Sequence, residues 1–179
     1  MKIKIVKLLN CYIAKTRGFT LVELLIAMAI ISILATGLIV IINPITQIQK
    51  ANDARRKGDL AQIQKALETY YQDNRKYPAS SVDYEIIAGD SAIEWGDTWM
   101  PYMGNLPEDL NPSLKKYVYY SDGQTYYLYA SLDRGANDPQ ACSGAVCASL
   151  ASNGISPEKC AVSGSAVCNY GISSPNVSP

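Results

Sequence analysis

Few side chains in this sequence could do chemistry, and histidine is missing altogether. Its absence removes the commonest general base and the commonest metal ligand. Ser113 and Lys116 stand in a Ser-x-x-Lys spacing, which in one hydrolase family pairs a nucleophile with a lysine. The companion motifs are lacking and no buried helix starts there, so an exposed turn before a strand is the better reading. No nucleophile–base pair with an orienting group can be assembled, and no glycine-rich phosphate loop is present. The chain reads as a non-enzyme. Cys142, Cys147, Cys160 and Cys168 cluster in a Ser/Gly/Ala-rich C-terminal stretch, while Cys11 sits alone near the start. The cluster fits two disulfides if that part of the chain meets an oxidising compartment, and reduced thiols if it does not. Zinc is disfavoured, because the spacings are not short knuckles and no histidine can help. Four cysteines permit three pairings; the short loops favour Cys142 with Cys147 and Cys160 with Cys168.

The other informative group is a single acid. From Phe19 to Ile42 the chain runs through 24 residues in which Glu23 is the one ionisable side chain. At about 1.5 Å of helical rise per residue, this run can cross a hydrocarbon core of about 30 Å. It is too long for the apolar region of an ordinary secretory signal and has no small-x-small site at its far end. Lys2, Lys4, Lys7, Lys15 and Arg17 all precede it, which places residues 1–18 in the cytoplasm and the chain after about Asn43 outside. A carboxylate at mid-bilayer costs roughly 2.5–3.5 kcal/mol, and less near an interface. Glu23 therefore either reaches back to the headgroups or finds a positive partner. The formal net charge is zero, but setting residues 1–18 aside leaves 11 basic and 16 acidic side chains, a net charge of −5. Such a body has no bulk attraction for nucleic acid.

Residues Lys15–Thr16–Arg17–Gly18–Phe19–Thr20–Leu21–Val22–Glu23–Leu24–Leu25 resemble the class III signal of type IV pilins and type II secretion pseudopilins. That signal is a short basic leader ending in glycine, then phenylalanine, then a glutamate at the fifth mature position and an apolar helix. The resemblance implies cleavage between Gly18 and Phe19 by a prepilin peptidase, N-methylation of Phe19, and pairing of Glu23 with the Phe19 amino group of a neighbouring subunit. It implies a homopolymer, with other pilins, a membrane platform and a motor ATPase as partners. The protein would be a single-pass bacterial cytoplasmic membrane protein before it enters an extracytoplasmic filament. Many pilins carry a proline earlier in the mature helix than Pro44 stands here. The stretch AQIQKALETYYQDNRKYP and the segment Leu106–Pro107–Glu108–Asp109 are similar to the G-like branch of pseudopilins. The longer cysteine-bearing tail is more like a surface pilin. The G-like resemblance also implies calcium near the C-terminal end of the head, where Asp133, Asn137 and Asp138 offer oxygens; loops also hold such residues for turn reasons alone. A membrane-anchored receptor that never polymerises is the remaining alternative, against which Glu23 argues.

These features need a scaffold. Residues 45–76 hold no proline and one glycine, and Leu60, Ile63, Leu67 and Tyr70 form one apolar stripe. A single helix over about residues 20–75, loosened at Pro44 and ending before Tyr77–Pro78, would be roughly 80 Å long. The run Asp53–Ala54–Arg55–Arg56–Lys57 is expected on a solvated or subunit-facing surface. Residues 79–112 are expected to be irregular. Tyr117–Tyr120 and Tyr126–Leu132, joined by Ser121–Gln124, predict a β-hairpin. The fold class is α+β: a long N-terminal helix packed on a small antiparallel sheet, with a loop-rich, disulfide-bearing C-terminus. The divisions are a leader (1–18), an apolar helix (19–42), its amphipathic continuation (43–76) and a head (77–179).

Overall fold

The computed structural model describes residues 18–142 and 146–179. The leader up to Arg17, including Cys11, lies outside the described residues. The chain divides into two compact units, Met1–Pro44 and Ile45–Pro179.

In the first unit, helix α1 spans Leu21–Ile42. Thr20 starts it: its backbone is extended and its hydroxyl accepts from the Glu23 amide at 3.2 Å, satisfying one of the free N–H groups of the first turn. Glu23 also places its negative charge at the positive end of the helix dipole. The helix stops at Asn43, which adopts a left-handed conformation with φ 46°. The following Pro44 disfavours the right-handed helical region for Asn43, and asparagine tolerates the left-handed one. Where a single loosened helix was expected, there are two helices with one residue between them.

Helix α2 spans Pro44–Asn74 and, from Ile45 on, opens the second unit. Proline suits this first position, where no internal bond is lost. Leu60, Ile63, Ala66 and Leu67 bury the helix's apolar stripe. Arg75 (φ 59°) ends the helix in a left-handed turn, and its amide still reaches Tyr71 O at 2.8 Å.

Two antiparallel sheets follow. β1 (Ala79–Ser80), β2 (Ile86–Ala88) and β3 (Ser91–Ile93) form the first. This region was expected to be irregular, yet Gly89–Asp90 makes a two-residue hairpin turn with Gly89 at φ 77°. The second sheet holds β4 (Val118–Ser121), β5 (Tyr126–Ala130) and β6 (Tyr170–Ser173), with β5 in the middle. The predicted hairpin pairs Val118 with Tyr129 and Ser121 with Tyr126. Asp122 Oδ1 closes its turn by accepting from the Gln124 and Thr125 amides at 2.9 and 2.6 Å.

The second sheet separates two cores. On one face, Tyr117, Tyr119, Tyr126 and Leu128 join Leu60, Ile63, Leu67, Trp99 and Leu106. On the other, Val118 and Tyr129 pack with Leu150, Ile155, Cys147, Cys160 and Cys168. The buried tyrosines keep their hydroxyls bonded: Tyr117 donates to Asp59 at 2.8 Å, Tyr119 to Pro78 O at 2.7 Å and Tyr126 to Glu68 at 3.1 Å. Tyr129 meets Ser149 at 2.7 Å. A tyrosine is an economical core residue only when its hydroxyl finds such a partner.

The tail is folded rather than loose. Cys142 is bonded to Cys147 and Cys160 to Cys168, and the short helix α3 (Ala148–Ser152) lies between the two bridges. Asn169 clamps the Leu132 backbone from both sides, accepting from its amide at 2.7 Å and donating to its carbonyl at 3.1 Å. At Gly171 a Cβ would meet the Tyr129 ring at 3.0 Å, so with a larger residue there the ring would have to shift for β6 to lie as close to β5. Cys160 and Cys168 are both buried, whereas Cys142 is half-buried at the margin. Replacing Cys160 and Cys168 together by alanine should cost about 2–5 kcal/mol in urea unfolding and exceed the loss from the Cys142/Cys147 pair. The reverse order would contradict this assignment of the tail's core.

Candidate functional site

Two groups of residues stand out, one in each unit. In the first, the side chains described on α1 are exposed from Leu21 to Leu38, including Leu24, Leu25, Ile30, Ile33 and Leu34. The helix is long and apolar enough to cross a membrane by length and composition, which fits a single-pass anchor. Its hydroxyls need nothing from outside, since Ser32 donates to Met28 O and Thr36 to Ser32 O, each at 2.8 Å. Glu23 differs. Its carboxylate has no hydrogen-bond or ion-pair partner among the described residues. Gly18 and Phe19 precede the helix and are exposed, Phe19 at 81%. A lone carboxylate on an otherwise apolar, unpartnered helix can act as an acceptor for a cation brought by another molecule.

The second group corrects the expectation for Asp53–Lys57. Arg56 is completely buried and Asp53 nearly so. Arg56 Nε donates to Asp109 Oδ2 at 2.7 Å, and Nη1 reaches Asp53 Oδ1 and Asp133 Oδ2, both at 3.0 Å. Asp53 in turn accepts from the Asp133 and Arg134 amides at 2.7 and 2.9 Å, and Asp109 from the Asn111 amide at 2.9 Å. One guanidinium thus joins α2, the Leu106–Asp109 segment and the chain leaving β5. Its five N–H donors in a planar fork suit this multiple grip, which an ammonium could not reproduce. Burial alone would lower the Arg56 pKa, but bonds and charges from Asp109 and Asp133 outweigh it and hold the group firmly protonated. For Asp133, burial acts upward, while Lys115 and Arg56 pull its carboxyl below the ordinary value of 3.8.

The sequence carried a signal for this hub. Arg56, Leu60, Ile63 and Leu67 follow i, i+4, i+7 and i+11, so the apolar stripe extended backward lands on Arg56. An arginine on a buried stripe requires carboxylates, and the acid of Leu106–Pro107–Glu108–Asp109 is one of them.

The remaining candidate residues are tied to other parts of the head, apart from Asp133, which belongs to the hub. Ser113 offers its carbonyl to Ser163 Oγ at 2.8 Å, and Lys116 donates to Asp83 O at 3.3 Å. Asp133 is held by Arg56 and Lys115, and Asp138 by Lys57 at 2.6 Å. Asn137 is exposed in a short 3-10 turn, Gly135–Asn137. Among the described residues no three His, Cys, Asp or Glu side chains are grouped to hold a metal ion.

An apolar helix led by Gly–Phe–x–x–x–Glu, followed by a helix-and-sheet head, defines a pilin-like class of protein. Residues 13–39 match the prokaryotic N-terminal methylation motif, and residues 43–147 match the family model of type II secretion system protein G. The chain belongs to the type II secretion system protein G family. It is 26% identical over 98 residues to the type II secretion system core protein G of Pectobacterium carotovorum, covering 53% of this chain and 62% of that protein. With the core protein G of Klebsiella pneumoniae it shares 29% over 94 residues, 52% of this chain and 61% of the relative. With that of Escherichia coli it shares 34% over 73 residues, 41% and 49%. The matches therefore span about half to three-fifths of these relatives. No solved structure matches the chain.

The family match ends at Cys147, so Arg56, Asp53, Asp109 and Asp133 all lie within it, while α3, the Cys160–Cys168 bridge and β6 lie beyond it. Arg56→Met keeps the apolar stem but strands Asp53 and Asp109. It should cost about 3–5 kcal/mol in equilibrium unfolding. Arg55→Met, which removes an exposed guanidinium whose ion pair with Asp59 is long at 4.0 Å, should cost at most about 1 kcal/mol. Similar losses for both would refute the hub.

Proposed function

We propose that this chain is a precursor subunit that is cut between Gly18 and Phe19, methylated at Phe19 and assembled into a filament as a pseudopilin of a type II secretion machine. The carrying observation is Glu23, a carboxylate without a partner among the described residues, on an exposed apolar helix within the matched methylation motif. An ammonium and a carboxylate are each costly in a low-dielectric helix bundle and far less so together. The Phe19 amine of an adjacent copy is the matching cation, and the pair would set axial register, a role known for buried polar groups elsewhere. Packing among apolar helices, and removal of their Ala, Ile and Leu surface from water above the bilayer, would hold the shaft together. The N-terminus would face the cytoplasm before processing and the head would lie outside.

A prepilin peptidase, a membrane platform, a motor ATPase and other pseudopilins are the partners this reading requires, together with membrane lipid. The role is structural rather than catalytic. One observation favours a second reading, a surface pilus: the folded, twice-bridged tail reaches well past the end of the protein G match. It supplies a surface that the matched region lacks.

The test compares wild type with Glu23→Ala and Glu23→Gln by intact mass and N-terminal sequence, in membranes and in sheared filaments. All three should begin at methylated Phe19 in membranes, with only the wild type recovered efficiently from filaments. A chain still beginning at Met1, or cut beyond Ile42, would overturn the proposal. Equal recovery of the variants in filaments would remove Glu23 from assembly.

A further inference from the structure

We infer that the head fastens its C-terminal segment with its own side-chain cations, at the place where its resemblance to G-like pseudopilins leads one to expect calcium. Both carboxylates nominated for a metal are already engaged, which leaves only the exposed Asn137 among the nominated residues. Lys57 Nζ donates to Asp138 Oδ1 and Oδ2 at 2.7 and 2.6 Å and to Gln140 Oε1 at 2.9 Å, and lies 5.5 Å from the centre of the Tyr170 ring. Asp138 Oδ1 also takes the Gln140 amide at 2.9 Å. Asp133 gives Oδ2 to Arg56 at 3.0 Å and Oδ1 to Lys115 at 2.5 Å. Lys115 also donates to Ser131 O at 3.1 Å.

Calcium takes six to eight oxygens at about 2.3–2.6 Å. Here Asp133 and Asp138 belong to separate cationic clusters. The oxygens of Asp138 and Gln140 converge on an ammonium, not on a vacant point. A divalent ion at that point would stand within a few ångströms of Lys57, and like charges at that range repel strongly in a partly dry site. The donor set does not fit calcium.

The positive groups also do a metal's work. Arg56 and Lys57 are neighbours on α2, and between them they hold Asp133 and Asp138 at the two ends of the segment leaving β5. Lys57 adds Tyr170 of β6. Lys57 and Asp138 keep under a fifth of their side-chain surface exposed, so water screens the contact less than it would a surface pair. The Lys57 bonds come first among the causes that lower the Asp138 pKa. A fixed internal cation needs no ion from the medium and gives a head whose stability is independent of divalent metal.

The test uses the full-length protein in detergent, dialysed against EGTA and then returned to millimolar calcium chloride. The melting temperature should be the same in both, and calcium titration should give no saturable heat. Lys57→Met and Asp138→Asn should each lower it by about 3–6 °C, with the double variant no worse than the worse single one. A wild-type melting temperature that falls on chelation, or stoichiometric calcium binding lost in Asp138→Asn, would overturn the inference. So would a Lys57→Met protein as stable as wild type.

Discussion

A guanidinium without access to water governs how this head is built. Removing Arg56 from solvent costs several kcal/mol unless carboxylates and hydrogen bonds meet it. The chain meets it with Asp53 from the same helix, Asp109 from the segment before the second sheet, and Asp133 just after β5. Each acid is then bound in turn by backbone amides or by Lys115. Buried ion pairs are weak evidence for stability as such, because an apolar replacement often does as well. Their effect here is selective. A helix rotated by one residue, or a loop shifted by one position, would leave charges stranded in the core. The hub therefore fixes which face of α2 meets the sheets and where the tail begins.

The two units treat charge in opposite ways. In the head, Arg56, Lys57 and Lys115 are matched within the chain. On α1 the hydroxyls of Ser32 and Thr36 are satisfied by their own helix, and the Glu23 carboxylate has no partner among the described residues. If the chain is a filament subunit, this division has a consequence. Assembly would draw on the Glu23 carboxylate, and the head could vary its surface without disturbing that contact. The tail beyond Cys147 shows how such variation is accommodated. It adds an edge strand, β6, next to β5 and covers the outer face of the sheet with Leu150, Ile155 and the Cys160–Cys168 bridge. The sheet face that packs with α2 keeps its own core.

Legibility in the sequence followed the range of the interaction. The stripe Leu60–Ile63–Leu67 and the Tyr–Val–Tyr–Tyr hairpin are set by local periodicity and turn residues, and both stand where their patterns put them. The short hairpin at Gly89–Asp90 carried a local signal as well. Ile86–Ile87–Ala88 and Ser91–Ala92–Ile93 flank a glycine turn, but three-residue strands are too brief for an alternation pattern to show. β6 had no local signature, because Tyr–Gly–Ile–Ser pairs with β5 through a contact of long sequence separation, and its glycine is explained by the Tyr129 ring. Arg56 was obscured by its neighbours. Flanked by Arg55 and Lys57, it reads as solvated surface until the stripe is extended one turn back. The helix break was half visible: Pro44 marked the place, but the left-handed turn falls on Asn43, the residue before it.

The most direct measurement is native-state hydrogen exchange at the Asp133 and Arg134 amides, which donate to the Asp53 carboxylate that Arg56 holds in place. They lie just past β5, outside any strand or helix, and in an ordinary loop would exchange through small local openings. If the hub organises the head, they should exchange only on global opening, with the same free energy as the amides of Leu60 and Ile63 in the helical core. Exchange at a loop-like free energy, well below that of Leu60 and Ile63, would show that the tail is held independently of Arg56 and would contradict the account.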